Sequence, residues 1–425
     1  MHRSRSSLFI LYAAIVGLFI VTGTVGAQEN NVCTAIVRDA LIQTVVNCAD
    51  NATGQVCAAF PEIDSVLQDD VDPETFDEAG ETVDAIDVIT LRPGPIDIST
   101  SDETWGVIVM NLLASLPAGV TDDVVVIGFG GVEIESDVPV AEAFVPLSEP
   151  VSFTTTAAGE LREVTLTPPA EAEVTEQVAS GTALVADAVS ADGLWVRVLI
   201  GDRPGWLDAD AFEGTDLSDL PVLDNGQLSP MQAFYLRTGI DAGSCAPNSS
   251  WVLIQSPEEI SVDMIIYDVP VRIEATVLFR TLAAGEPVGP QMQLVVLYGV
   301  VTVNPDTEDE IIVPAGYMLP IGLGPDFVSL GIEGDDDERS GTKTFGELVL
   351  FNQALLDDLN FLEQLPPDIF NYDVELPVLT QASGTGGPLI DVIFPDPGAT
   401  SPIQELCATG ALSPAICAIY GFPTP

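Results

Sequence analysis

Ser340 and Lys343 form an SxxK tetrapeptide, and Lys343 is the only lysine in the chain. On the first turn of a helix that spacing lets an amine take the hydroxyl proton and makes an acyl-transfer nucleophile. The context is GDDDERSGTKTFG, which reads as a turn, and no partner motif accompanies it. The acidic run before it, Gly334-Asp335-Asp336-Asp337-Glu338, has the oxygen ligands a calcium ion takes. It lacks the alternating spacing of a calcium loop and reads as a solvated turn. The single histidine is His2, so a Ser-His-Asp or Cys-His site cannot be built from the rest of the chain. The GxSxG, Walker and DTG signatures are absent as well. Carboxylates are abundant, but nothing marks the close pair that glycoside hydrolysis uses. The chemistry therefore points to a chain that is not an enzyme, with no cofactor and no metal. A carboxylate-dependent glycan hydrolase and an acidic cation-binding surface protein are the alternatives.

The first residues narrow the setting. Arg3 and Arg5 precede an uncharged apolar run over 8–27, and Val25 and Ala27 are small residues placed for cleavage before Gln28. This is the pattern of a secretory signal peptide, with an uncleaved anchor as the other reading. Cys33 stands too far inside for a lipid anchor, and no later stretch is apolar enough to span a membrane. Loss of 1–27 takes away two of the twelve basic residues and none of the 65 acidic ones; the remaining ten against 65 give a formal charge of −55. A nucleic-acid partner needs clustered Lys and Arg and is excluded. An anionic lipid surface would repel the chain. The expected location is extracellular or at the cell envelope.

Six cysteines, Cys33, Cys48, Cys57, Cys245, Cys407 and Cys417, form an even set in an exported chain and read as disulfides. Cys407 and Cys417 close a short loop and are expected to pair. The other four allow three connectivities, of which Cys33–Cys48 with Cys57–Cys245 is preferred.

The stretch DGLWVRVLIGDRPGWLDADAF, residues 192–212, is the most readable part of the chain. Trp195 and Trp206 stand in two strand-like runs separated by a Gly/Asp/Pro turn. They are the candidate binding residues. With EVTLTPP and EVTEQVASGTALVADAV before it, the segment 163–213 reads as five short strands, enough for a small barrel. It resembles the bacterial SH3-like family of extracellular modules. Gly181-Thr182 matches that family's central GT, Trp195-Val196-Arg197-Val198 its WVKV strand, and Gly205-Trp206-Leu207 its GWV. Its first half departs, with Thr167 at the family's Arg and Pro168-Pro169 in a shortened loop. The resemblance implies a barrel and a cell-wall or extracellular peptide or glycan ligand. Alternation puts Val196 and Val198 on one face and Trp195 and Arg197 on the other. One tryptophan is expected to be buried in the barrel, the other more exposed.

These residues need a frame. About 400 residues exceed one compact core. Val, Ile, Thr, Pro and Gly dominate, so the chain is expected to be mainly β and multidomain: a small SH3-like barrel plus β-sandwich-like domains, a short N-terminal helix and one helix near 348–364. The expected divisions are a cysteine-containing domain at 28–135, linkers at 136–162 and 214–230, the barrel at 163–213, a β domain at 231–323 and an acidic, Pro/Gly-rich region at 324–425. The segment 252–322 resembles the β-rich domain of ferric-citrate-type sensor regulators (FecR-like), on Gly299 and Pro314-Ala315-Gly316.

Overall fold

The computed structural model describes residues 42–390, apart from 62, 77, 95–105, 148–149, 167, 225, 240–249, 283–289, 325–341 and several stretches between 353 and 388. The chain is mainly β. The first seven strands are β1 (Gln55–Pro61), β2 (Ile63–Leu67), β3 (Thr82–Asp84), β4 (Val88–Pro93), β5 (Gly106–Leu112), β6 (Val124–Phe129) and β7 (Val132–Ser136). A second group follows: β8 (Val151–Thr154), β9 (Gly159–Arg162), β10 (Val174–Val178), β11 (Ala183–Ser190), β12 (Trp195–Ile200), β13 (Arg203–Asp208) and β14 (Val222–Leu223). The third comprises β15 (Ala233–Thr238), β16 (Trp251–Gln255), β17 (Val262–Ile266), β18 (Val269–Leu282), β19 (Gln291–Val303), β20 (Ile311–Pro314), β21 (Tyr317–Gly322), β22 (Thr344–Phe345) and β23 (Val349–Leu350).

The first and third groups form one 16-stranded sheet, ordered β2-β4-β7-β15-β17-β18-β16-β6-β5-β1-β3, with β19 to β23 attached beyond β18. This corrects the division into separate domains at 28–135 and 231–323. β6 pairs with β16, and β7 pairs with β15 from Val132↔Thr238 to Ser136↔Phe234. Strands such as VVVIGF and WVLIQ are buried at every position. Continuous apolar text of that kind marks a strand covered on both faces but does not name its neighbour.

The sheet curls on itself. Its inner face gathers Leu91 and Ile134 from one limb with Ile108, Val126, Val252 and Val277 from the other into one cluster. The alternate residues, among them Val109, Ile127, Trp251, Leu253 and Leu297, form a second cluster on the outer face. That face is covered by Cys48 from the helical residues 42–48 and by Phe351, Leu355, Leu359 and Leu362. Of the helical stripe expected near 348–364, Phe351, Leu355, Leu359 and Leu362 are buried as read, whereas Leu348 is half-buried against the inner cluster and the described helical residues begin at Leu355. Asn352 caps this helix by accepting from the Leu355 N–H at 2.9 Å, and Val349–Leu350 before it is strand.

Gly299 sits where β19 bends between its partners β20 and β21. Its φ is +74°, and an added Cβ would stand 2.0 Å from the Glu274 carbonyl oxygen. The Ala315 N–H donates to the Gly299 carbonyl at 3.0 Å, so the two short motifs singled out in this segment meet at one bend. Gly299→Ala should cost about 2–3 kcal/mol through backbone strain, read as a lowered denaturation midpoint.

The second group of strands is inserted between β7 and β15, which are neighbours in the body. Its two connecting segments run side by side: the Asp137 N–H donates to the Ala233 carbonyl at 2.9 Å and the Phe144 N–H to the Leu228 carbonyl at 2.8 Å. The insert is a seven-stranded sheet in the order β10-β9-β13-β12-β11-β14, with β8 also on β11. It encloses Leu161, Leu184, Val196, Val198, Leu207 and Phe212. β8 and β9 lie in the stretch read as the linker 136–162, and β14 in the one read as 214–230. Four-residue strands, each with at most one buried position and set among Pro, Ser and Thr, carry too little pattern to stand out.

Candidate functional site

In the β12–β13 hairpin Trp195 pairs with Asp208 and Arg197 with Trp206, so both tryptophans and Arg197 share the outer face while Val196, Val198 and Leu207 point into the core. β9 lies close over β13 at Gly205, where an added Cβ would stand 2.4 Å from Leu161 Cδ1, and only glycine fits before Trp206. One tryptophan is buried and the other half-buried, although alternation puts both on the same face. The burial of Trp206 has a different cause from the one expected: neither tryptophan belongs to the barrel core. Trp206 is covered from outside, in a small cavity of about 30 Å³ that it lines with Ser115, Phe144, Leu166 and Arg197.

The same face carries the most buried ion pair among the described residues. A bulge between Ala186 and Ala188 turns Asp187 outward toward Arg197. Arg197 Nε donates to Asp187 Oδ1 at 2.8 Å and Nη2 to Oδ2 at 2.7 Å, and both side chains are at most 1% exposed. The body completes the set. The Ala118 N–H donates to Asp187 Oδ2 at 2.7 Å, and Arg197 Nη1 donates to the Ser115 carbonyl at 3.1 Å. Phe144 lies under the guanidinium at 4.7 Å. A second joint uses Asp263, which accepts from the Leu166 N–H at 2.8 Å and from Arg272 Nε at 2.8 Å. Arg272 also reaches Asp306 at 2.9 Å. The insert is therefore seated on the body through desolvated, hydrogen-bonded charges.

Trp195 stands at the edge of this covered area. Its ring has the Arg162 guanidinium 5.3 Å from its centroid, and its neighbour Leu194 is 60% exposed. Arg162 is held by donation to the Ala172 carbonyl at 2.8 Å. Trp195 on the hairpin and Arg162 at the end of β9 form an aromatic–cation pair, open on one side to solvent.

Another opening between insert and body is a cleft of about 660 Å³. Glu163, half-buried on its wall, has its carboxyl raised above the usual range by burial; Arg272 opposes the rise, while Asp263, Glu173 and Asp306 add to it. An acid whose folded pKa exceeds its unfolded one penalises the fold above the folded pKa, and the penalty fades as pH falls toward the unfolded value. Glu163→Gln should therefore stabilise the chain near pH 7 and give a shrinking gain near pH 4, measured as the shift in melting temperature at each pH.

Every described basic side chain is committed within the molecule. Arg92 and Arg237 hold the buried Glu133, and Arg162, Arg197, Arg203, Arg272 and Lys343 each pair with a carboxylate. Arg280 lies 4.3 Å over Trp251 and donates to Gln293. Lys343 contacts Asp268 at 3.3 Å and the Tyr267 ring at 5.0 Å. Ser340 and the acidic run 334–338 lie outside the described residues. Among the described residues no group of three or more His, Cys, Asp or Glu side chains is placed to hold a metal ion.

Cys48 pairs with Cys57 across a sequence separation of nine. This corrects the expected Cys33–Cys48 and Cys57–Cys245. Helix 42–48 ends against the start of β1, and the turn between them brings the two Cα atoms to 5.9 Å. Cys33, Cys245, Cys407 and Cys417 lie outside the described residues. Sequence reasoning found the two tryptophans and missed Arg162 beside Trp195 and the buried pair of Asp187 with Arg197. An aspartate amid the apolar run ALVADAV was the available signal for a buried charge. No protein-family model matches the chain, and neither a curated protein nor a solved structure does so.

Proposed function

We propose that the chain is an exported, non-enzymatic binding protein of the extracellular space or cell envelope. Its inserted unit acts as an SH3-like module that contacts a cell-wall or extracellular peptide or glycan through Trp195. The observation that carries this reading is the division of one face between two tryptophans. The body covers Trp206 and leaves Trp195, stacked with Arg162 beside the exposed Leu194, open at the rim. A half-exposed indole on a rigid hairpin offers apolar area and an N–H donor at little cost in entropy. The disulfide Cys48–Cys57 supports an oxidising location. The committed basic groups and the large negative charge direct recognition toward neutral or cationic ligands.

The test is co-sedimentation of the purified chain with isolated cell-wall material, with release of soluble fragments followed in parallel. Saturable sedimentation, lost at least about tenfold in Trp195→Ala and accompanied by no release, is the expected result. Undiminished sedimentation of Trp195→Ala, or fragment release at enzymatic rates, would overturn it.

A further inference from the structure

The cleft between insert and body is built from two separate parts of the chain. The insert supplies Leu161, Glu163, Val164, Glu176 and the turn Asp202–Pro204; the body supplies 120–122 and the turn 258–261. Its rim carries six carboxylates, those of Asp122, Glu163, Glu176, Asp202, Glu258 and Glu259. The one guanidinium on the rim, Arg203, is already joined to Glu176. The floor has the opposite character: Leu161 and Val164 are buried there, and Pro204 and Ile260 are half-buried. The body's side of the rim is held in a tight turn. The Ile260 N–H donates to the Pro257 carbonyl at 3.3 Å, and Glu259 has a left-handed φ of +59°, with Glu258 and Glu259 both exposed.

We infer that this cleft docks a short segment of a partner protein that carries basic side chains on an apolar spine. The inference is independent of Trp195 and of the module's family. A volume of about 660 Å³ lies in the range that holds a few side chains. The apolar floor supplies area to desolvate, and the net negative rim fixes which partners approach and how fast. An anionic or nucleic-acid partner is repelled by the rim. A bare metal ion would leave the floor unused, as would a simple polyamine. An alternating basic and apolar peptide satisfies floor and rim together.

The experiment uses the full chain and a fluorescein-labelled heptapeptide of alternating Lys and Leu, followed by anisotropy at about 150 mM salt, where exposed charges beyond about 8 Å are screened. Saturable binding at one site per chain is expected. The triple variant Glu258→Gln, Glu259→Gln, Ile260→Ser should weaken it at least about tenfold. A control neutralises the same number of acids or more on the edge strand and its turn, as Asp64→Asn, Asp69→Asn, Asp70→Asn, and should change it less than about twofold. Trilysine should compete at least about tenfold more weakly than the unlabelled heptapeptide. Circular dichroism and melting of both variants establish that each is folded; if the triple variant is not, Glu258→Gln alone is used and should weaken binding at least about threefold. Equal weakening by the two sets of substitutions, competition by trilysine as strong as by the heptapeptide, or attraction that never saturates would each overturn the proposal.

Discussion

Asp187→Ala should destabilise the protein by about 3–5 kcal/mol, because it leaves the guanidinium of Arg197 buried without a counter-charge. The side chains are 0% and 1% exposed, so water cannot replace the lost partner. The same substitution removes the acceptor of the Ala118 N–H on the body. Replacing both charges, as Asp187→Leu with Arg197→Met, should cost less than either single change, since a buried pair is expensive to break and much less so to remove. It should not recover fully, because the Ala118 N–H and the Ser115 carbonyl both lose their partners. A double-mutant cycle by denaturant unfolding gives the numbers. A single-variant loss under about 1 kcal/mol would mean that the pair is solvated and that the insert is not anchored there.

Trp206→Ala should cost about 3–5 kcal/mol, and Trp195→Ala about 1 kcal/mol. The two residues are eleven positions apart in one hairpin, and the difference arises from what covers them. Trp206 fills the junction opposite Arg197, so its loss opens a cavity against the body and weakens the seat of the insert. Trp195 loses its contact with Arg162 and some partly buried area. Thermal melting of the two variants checks the order. Equal losses would show that both indoles serve the fold alike and would remove the reason to regard Trp195 as a contact residue.

The hairpin was legible because its strands alternate and its turn residues are punctuated by Gly and Pro. The covering of Trp206 was not, because that depends on Ser115 and Phe144, roughly sixty to ninety positions earlier in the chain. The same limit explains the domain division. Strands β6 and β7 could be read as strands, but their pairing with β16 and β15 spans the whole insert. The expected disulfides failed on distance of the opposite kind, since Cys48 and Cys57 join across a single short turn. A Cys57–Cys245 bridge would have tied together segments that the sheet itself unites. The acidic cleft carries no sequence signature, since its carboxylates come from five separate loops and strands.

The central claim is that the chain binds through an exposed edge of its insert and does not turn over what it binds. Sedimentation of the wild-type chain, Trp195→Ala and Trp206→Phe with isolated cell-wall material, with soluble product measured in the same tubes, tests it most directly. Saturable binding by the wild type and Trp206→Phe, loss in a folded Trp195→Ala and no product in any tube are the expected results. Binding that survives in Trp195→Ala, or product formed at enzymatic rates by the wild type, would contradict the claim.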